Sequence, residues 1–192
     1  MGRIADMDGS MATRRRLFIL ECTPKHEYRE GEVLFNFLNM TEPNALFIRD
    51  FTNKSKLLSY IRRKRNLAGF DLIHLSGHGV SKFVFELPRG FVSPDEFPDS
   101  CFEGMIVTIS ACGLSSKEFM NPFIERTKAR GAIAPQNNVE FADAAIFYSY
   151  FYYLVMHHRF SPARALDTAK RLLCDMSGEG RVRGGWFYWI PD

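Results

Sequence analysis

The chain has 192 residues, 46% hydrophobic and 24% charged, with a net charge of +3 and a pI near 8.7. So mild a basic excess gives no ground for nucleic-acid binding, and no window approaches the roughly 18 consecutive apolar residues of a membrane span. The length suits one α/β domain with a real core better than two domains.

Cys22, Cys101, Cys112 and Cys174 form no Cys-x-x-Cys pair and follow no secretory signal. Neither a disulfide framework nor a metal site is therefore expected, no cofactor is called for, and a reducing cytoplasm fits. Met1 to Ser10 lack periodicity and end in Gly9-Ser10 just before Met11, as an expression leader would. The domain is expected over 11–192.

The first strand is predicted at Leu17-Phe18-Ile19-Leu20, closed by Thr23-Pro24. From His26 to Met40 the apolar positions Tyr28, Val33, Leu34, Phe37 and Leu38 are spaced as in a helix, which Gly31 weakens. Ala45 to Phe51 reads as a second strand. Asn53 then caps a helix with Leu57, Leu58 and Ile61 inward and the cations Arg62-Arg63-Lys64-Arg65 at its carboxyl end. Phe70 to Leu75 is the third strand, running into Ser76-Gly77-His78-Gly79. A hairpin follows, from Lys82-Phe83-Val84-Phe85-Glu86-Leu87 through Pro88-Arg89-Gly90 to Phe91-Val92, placed to flank a cleft. Ser93-Pro94-Asp95-Glu96 resembles a helix start, and Met105 to Ile109 is a fourth strand that ends at Ser110-Ala111-Cys112-Gly113.

Ser116 to Arg130 is predicted helical, with Phe119, Phe123 and Ile124 on one face, Pro122 inside and Gly131 at its end. Ala132 to Ala134 is a fifth strand. Phe141, Ala144, Ala145, Tyr148, Phe151, Tyr152 and Val155 then mark an aromatic-rich helix reaching His158, its aromatics read as core. Ser161-Pro162 opens a last helix carrying Leu166, Ala169, Leu172 and Leu173. Ser177 to Gly185 is expected to be a mobile loop, and Trp186 to Ile190 a terminal edge strand. Strands alternating with helices imply a mostly parallel sheet, right-handed crossovers and helices on both faces.

Two of these strands end in reactive side chains. Asp71-Leu-Ile-His-Leu-Ser-Gly-His-Gly79 delivers His78, and Gly104-Met-Ile-Val-Thr-Ile-Ser-Ala-Cys112 delivers Cys112. Open α/β sheets place their sites at the carboxyl ends of strands, so the two can meet only through strand pairing. A thiol attacks as thiolate, and with an unperturbed pKa of about 8.5 it gains from an adjacent imidazole. The amides of Gly79 and Cys112 would converge on an oxyanion if the two turns adjoin. Four residues before His78, His74 reads as a satisfied core histidine. His157 and His158 read as solvated helix-end residues.

Leu-Ser-Gly-His-Gly after one apolar strand and Ile-Ser-Ala-Cys after the next resemble the caspase-like clan CD cysteine peptidases, and within it the CHAT domain group. Gly131-Ala132-Ile133-Ala134 before Val139 and Asp143, the helix from Phe147 to Leu154, Ala163 to Ala169 and the Trp186 strand extend the resemblance from Leu17 to Ile190. It implies a caspase-like three-layer α/β/α sandwich, a dyad of His78 and Cys112, oxyanion donors at Gly79 and Cys112, and cleavage of a protein or peptide after a selected P1 residue. By similarity to the separase relatives, Asp143 and then Glu140 are candidates for holding a basic P1 side chain, although an acid in a first helical turn is equally what the helix dipole favours. The chain departs from the family in carrying Asn137-Asn138 where members often have a Trp-Asp-like pair, and within these residues no repeat or sensor segment adjoins the domain.

The resulting expectation is an intracellular cysteine endopeptidase, restrained by a regulatory protein partner, by homo-oligomerisation or by processing in the Ser177 to Gly185 loop at Arg181 or Arg183. A catalytically silent interaction module of the same fold competes with it. A thiol hydrolase or acyltransferase that shares the dyad is the third possibility.

Overall fold

The computed structural model describes residues 15–81, 83–176 and 185–191. In chain order it forms β1 (Leu17–Glu21), α1 (Glu30–Asn39), β2 (Leu46–Asp50), α2 (Lys54–Ile61), β3 (Leu72–Ser76), β4 (His78–Val80), β5 (Val84–Leu87), β6 (Gly90–Val92) and β7 (Ile106–Ser110). Then come α3 (Lys117–Thr127), β8 (Gly131–Pro135), α4 (Phe141–Tyr152), a π-helical turn Tyr153–His157, α5 (Pro162–Met176) and β9 (Trp186–Trp189).

The main sheet has the order β2-β1-β3-β7-β8-β9, parallel except for the last strand, which runs against β8. Strand alternation divides its side chains between two layers. Phe18, Leu20, Ile73, Leu75, Val107 and Ile109 pack with Leu57 and Ile61 of α2 and with Phe119 and Phe123 of α3. Their neighbours Leu17, Ile19, Leu72, Ile106 and Ile133 pack with Leu34 and Leu38 of α1, the aromatics of α4 and Ala165 and Leu166 of α5. The result is the expected three-layer α/β/α sandwich. Trp186 on the edge strand stacks on Phe147 of α4, with centroids 3.9 Å apart and planes 12° from parallel. Beside the main sheet, β4, β5 and β6 form a three-stranded antiparallel sheet, so the predicted hairpin gains a strand that begins at His78.

Local signals explain most element ends. The Asn53 side chain accepts from the amides of Ser55 and Lys56, and Ser116 accepts from that of Phe119, satisfying amides that a helix start leaves open. Ser93 and Glu96 close a capping box around the short 3-10 turn Pro94–Glu96. The carboxyl end of α3 differs from expectation: Lys128, at φ 57°, makes the left-handed turn, and Gly131 already belongs to β8. The cations after α2 differ too. The helix stops at Ile61, and Lys64 reaches Glu103 at 2.8 Å instead of facing the helix end. Among the described residues no helix is long and apolar enough to cross a membrane. Residues 1–14, where the leader was expected, Cys174, the side chains of Leu172 and Leu173, and 177–184 with Arg181 and Arg183 lie outside what the structure describes at side-chain level.

Helix α1 begins at Glu30 rather than His26, and of the apolar positions that suggested it only Leu34 and Leu38 are buried. What seats it is Gly31. A Cβ there would lie 2.5 Å from Glu21 Oε2 and 2.8 Å from Ile19 Cγ2, and the Gly31 amide donates to Glu21 Oε2 at 2.8 Å. Glycine therefore lowers helix propensity and in return permits close packing on β1. Gly31→Ala is expected to lower the unfolding free energy by about 1–3 kcal/mol despite alanine's better propensity. A urea titration showing an unchanged or higher midpoint would contradict that packing.

Candidate active site

The strands that carry the two reactive residues are neighbours in register, with His74 opposite Thr108 and Ser76 opposite Ser110. Beyond the last pair the Gly77 amide still donates to the Ser110 carbonyl at 3.1 Å. The chain then turns into β4, where Gly79 lies directly against the Cys112 backbone: a Cβ on Gly79 would fall 1.9 Å from the Cys112 carbonyl oxygen and 2.9 Å from its amide nitrogen. No side chain fits in that space, so the glycine is what lets the two turns meet.

His78 and Cys112 consequently line one small cavity of about 30 Å³, closed by Gly77, Ser110, Val139 and Phe141 among others. Cys112 also opens onto a groove of about 710 Å³ lined by Gly79, Ser81, Gly113, Gln136, Asn137 and Asn138. A thiol between a closed recess and an open, neutral polar groove is reachable by a polypeptide.

The imidazole and the thiol each have a partner. His78 Nε2 is 2.8 Å from Glu27 Oε2, both side chains being about a third exposed (35% and 36%). The edge of Phe141 meets the His78 ring at 5.3 Å, with planes 88° apart. A carboxylate on one ring nitrogen fixes the tautomer and the ring's orientation, while the aromatic edge restrains rotation. Cys112 Sγ accepts from the Val139 amide at 3.4 Å and approaches the Val139 carbonyl at 3.8 Å. No hydrogen bond joins imidazole to thiol among the described residues.

Glu27, Val139 and Phe141 were not singled out from the sequence. Glu27 lies in the connection from β1 to α1, on a turn closed by its amide on the Pro24 carbonyl at 3.1 Å. Its separation from His78 leaves no spacing signal. Val139 comes from the connection between β8 and α4, the segment the family resemblance had already drawn in, and Phe141 is the first residue of α4.

Asp143 is exposed in the first turn of α4, and Glu140 is the exposed residue at its N-cap, making no side-chain cap. They lie at the site's edge in sequence, but it is their neighbour Asn138 that lines the groove, and Val139, Phe141 and Ala144 that line the recess. His74 is fully buried, its Nδ1 2.6 Å from Thr108 Oγ1. His157 is paired rather than simply solvated, with Nδ1 3.3 Å from Glu42 Oε1. Among the described residues no group of three His, Cys, Asp or Glu side chains could hold a metal.

No family model matches the chain, and no curated protein matches it either. Among solved structures it is similar to the Arg specific cysteine proteinase gingipain R, with a TM-score of 0.59 and 9% identity, over 86% of this chain and 43% of that one. At that identity the likeness shows a shared fold, and this chain spans less than half of the proteinase's length.

The cysteines differ in access. Burial pushes the Cys101 thiol up to about 12 and that of Cys22 well above its usual range, whereas Cys112 is only partly buried. Raised thiol pKa values leave almost no thiolate below pH 9. Iodoacetamide at pH 7.5 should therefore label Cys112 at least tenfold faster than Cys22 or Cys101 in the folded protein, an order-of-magnitude expectation from thiolate fraction and access. Peptide mapping that finds Cys22 or Cys101 labelled first would refute it.

Proposed function

We propose that this protein is a cysteine endopeptidase of the caspase-like clan, closest in kind to the CHAT group, acting on a protein partner in the cytoplasm. The observation carrying this reading is that His78 and Cys112, delivered by adjacent parallel strands, line one recess because Gly79 closes on the Cys112 backbone. The shared fold with a cysteine proteinase supports it at the level of architecture.

In the proposed reaction the substrate lies along the groove and Cys112 attacks the scissile carbonyl as thiolate, its proton passing to His78. The Gly79 and Cys112 amides receive the developing oxyanion. Collapse breaks the C–N bond, His78 returns the proton to the departing amine, and water then hydrolyses the thioester with His78 as base. Glu27 holds the imidazole and stabilises its cationic form between those steps. Asp143 and Glu140 are proposed to attract a basic P1 side chain toward the groove, and a regulatory partner, self-association or processing near Arg181 or Arg183 to restrain the enzyme.

The resting contact of the thiol with Val139, rather than with His78, favours the competing reading of a silent interaction module. A peptide library with varied P1 residues separates the two. Cleavage that is abolished in Cys112→Ala and strongest at Arg or Lys supports the peptidase; no turnover in the folded wild type supports the module. If the enzyme is active, Glu27→Gln should lower kcat by about tenfold to a hundredfold with little change in KM. Asp143→Asn should reduce kcat/KM by about tenfold for basic P1 peptides alone. Loss of activity against all P1 residues would assign Asp143 to helix stability instead.

A further inference from the structure

Behind the recess, on the α1 and α4 side of the sheet, lies a polar cluster that the proposed chemistry does not use. Glu30, the first residue of α1, and His74, in the middle of β3, have fully buried side chains, with Glu30 Oε1 3.6 Å from His74 Nε2. Neither atom has a hydrogen-bond partner among the described residues. The other carboxylate oxygen of Glu30 meets Ser76 Oγ at 3.5 Å. On its far side His74 Nδ1 meets Thr108 Oγ1 at 2.6 Å, which in turn meets the Tyr152 hydroxyl at 2.5 Å.

A carboxylate and an imidazole buried as a bare pair add little to stability, because desolvation offsets their attraction and apolar residues of similar volume would serve packing as well or better. Such a pair does fix orientation, since each buried group loses the partner it faces at 3.6 Å if the other moves. Its location gives that orientation a use. Glu30 lies three residues after Glu27, and His74 and Ser76 lie on the strand that runs straight into His78. The cluster is therefore a side-chain bridge between the helix that follows the carboxylate's loop and the strand that leads into the imidazole. Backbone packing through Gly31 brings α1 onto β1; only Glu30 reaches across to β3 by hydrogen bonding or ion pairing among the described residues of that helix.

We propose that Glu30 and His74 are positioning residues that set the Glu27 carboxylate on His78 Nε2. This rests on the peptidase reading for its kinetic consequence, but not for its geometric one.

The test compares Glu30→Leu with Glu30→Gln in the full chain. Gln keeps the shape, with its carbonyl oxygen as acceptor toward His74 and its amide as donor to the Ser76 hydroxyl, so it should retain at least half of wild-type kcat and the wild-type imidazole signals of His78 in nitrogen-15 NMR. Leu should fold with an unchanged or raised Tm, yet lose the His78 Nε2 hydrogen-bond signature and about tenfold or more of kcat at constant KM, the penalty expected when a catalytic group is slightly misplaced. Glu30→Leu with wild-type kcat and an intact signature would overturn the proposal. Should that variant fail to fold, Glu30→Leu/His74→Met, which removes the pair together, carries the same two expectations. If the wild type has no Cys112-dependent turnover, the peptidase reading fails by itself, and the NMR comparison still decides whether the pair positions Glu27.

Discussion

The site depends on one steric fact: the backbone of Gly79 occupies space against the Cys112 carbonyl that any Cβ would fill. Parallel pairing of β3 with β7 brings the strand ends level, but pairing ends at Ser76 and Ser110, and the reactive residues lie beyond it. Two turns leaving adjacent strands have no reason to stay together unless something holds them. Here the approach of Gly79, with the bond from Gly77 to Ser110, extends the contact past the ladder. The small antiparallel sheet then carries β4 away at once, so His78 is both the end of one element and the start of another. That double role leaves its side chain over the recess while its neighbours are held by backbone hydrogen bonds.

The two faces of the main sheet are not equivalent. Toward α2 and α3 they are apolar along the whole length of the strands, with Phe18, Leu20, Ile73, Leu75, Val107 and Ile109 in one continuous core. Toward α1 and α4 the beginnings of the strands are apolar, but their ends turn polar, through Glu21, His74, Ser76, Thr108 and Ser110, all buried. Burying a charged group carries a penalty of several kcal/mol after relaxation, a large part of the roughly 5–15 kcal/mol by which a domain is stable. The offset is local. Tyr148, Phe147, Phe151, Tyr152 and Trp186 are all buried on the same side, and each large apolar side chain contributes about 1.5–3 kcal/mol. The aromatic load of α4 is thus what makes a polar sheet end tolerable beneath it.

The sheet was legible because most of its strands are short apolar runs bounded by turn residues, and α2, α3 and α5 because Asn53, Ser116 and Pro162 mark their starts. The elbows carrying His78 and Cys112 could be read for the same reason: a strand that stops at small residues exposes whatever follows. Helix α1 resisted this reading. Its spacing of Tyr28, Val33 and Phe37 imitates an inward face, yet the residues that seat it are Gly31 and Glu30, types that pattern arguments count against a buried helix face. Glu27 was beyond reach altogether. A carboxylate in a loop has no period, and only the return of α1 alongside β1 brings it to His78. The thiol's contact with Val139 was hidden likewise, because it depends on how the chain leaves β8, where Gln136 to Glu140 have no regular structure.

That Glu27 can serve a site while standing in a loop follows from how the loop is anchored. At its start, Glu21 at the end of β1 accepts from the Thr23 amide at 3.0 Å and from its hydroxyl at 2.6 Å through one carboxylate oxygen. With the other oxygen it accepts from Gly31, just past the loop's end. One buried carboxylate therefore clamps both ends of the connection, and the Glu27 amide on Pro24 closes a turn within it. Arg29, paired with Glu32 and Asp50, ties the same segment to the edge strand β2. A connection held at its start, its middle and its end has little freedom to carry Glu27 away, so a side chain about a third exposed can still present its carboxylate to one ring nitrogen. Glu21 does for the loop what Gly79 does for the turns: each removes a degree of freedom that strand pairing alone leaves open.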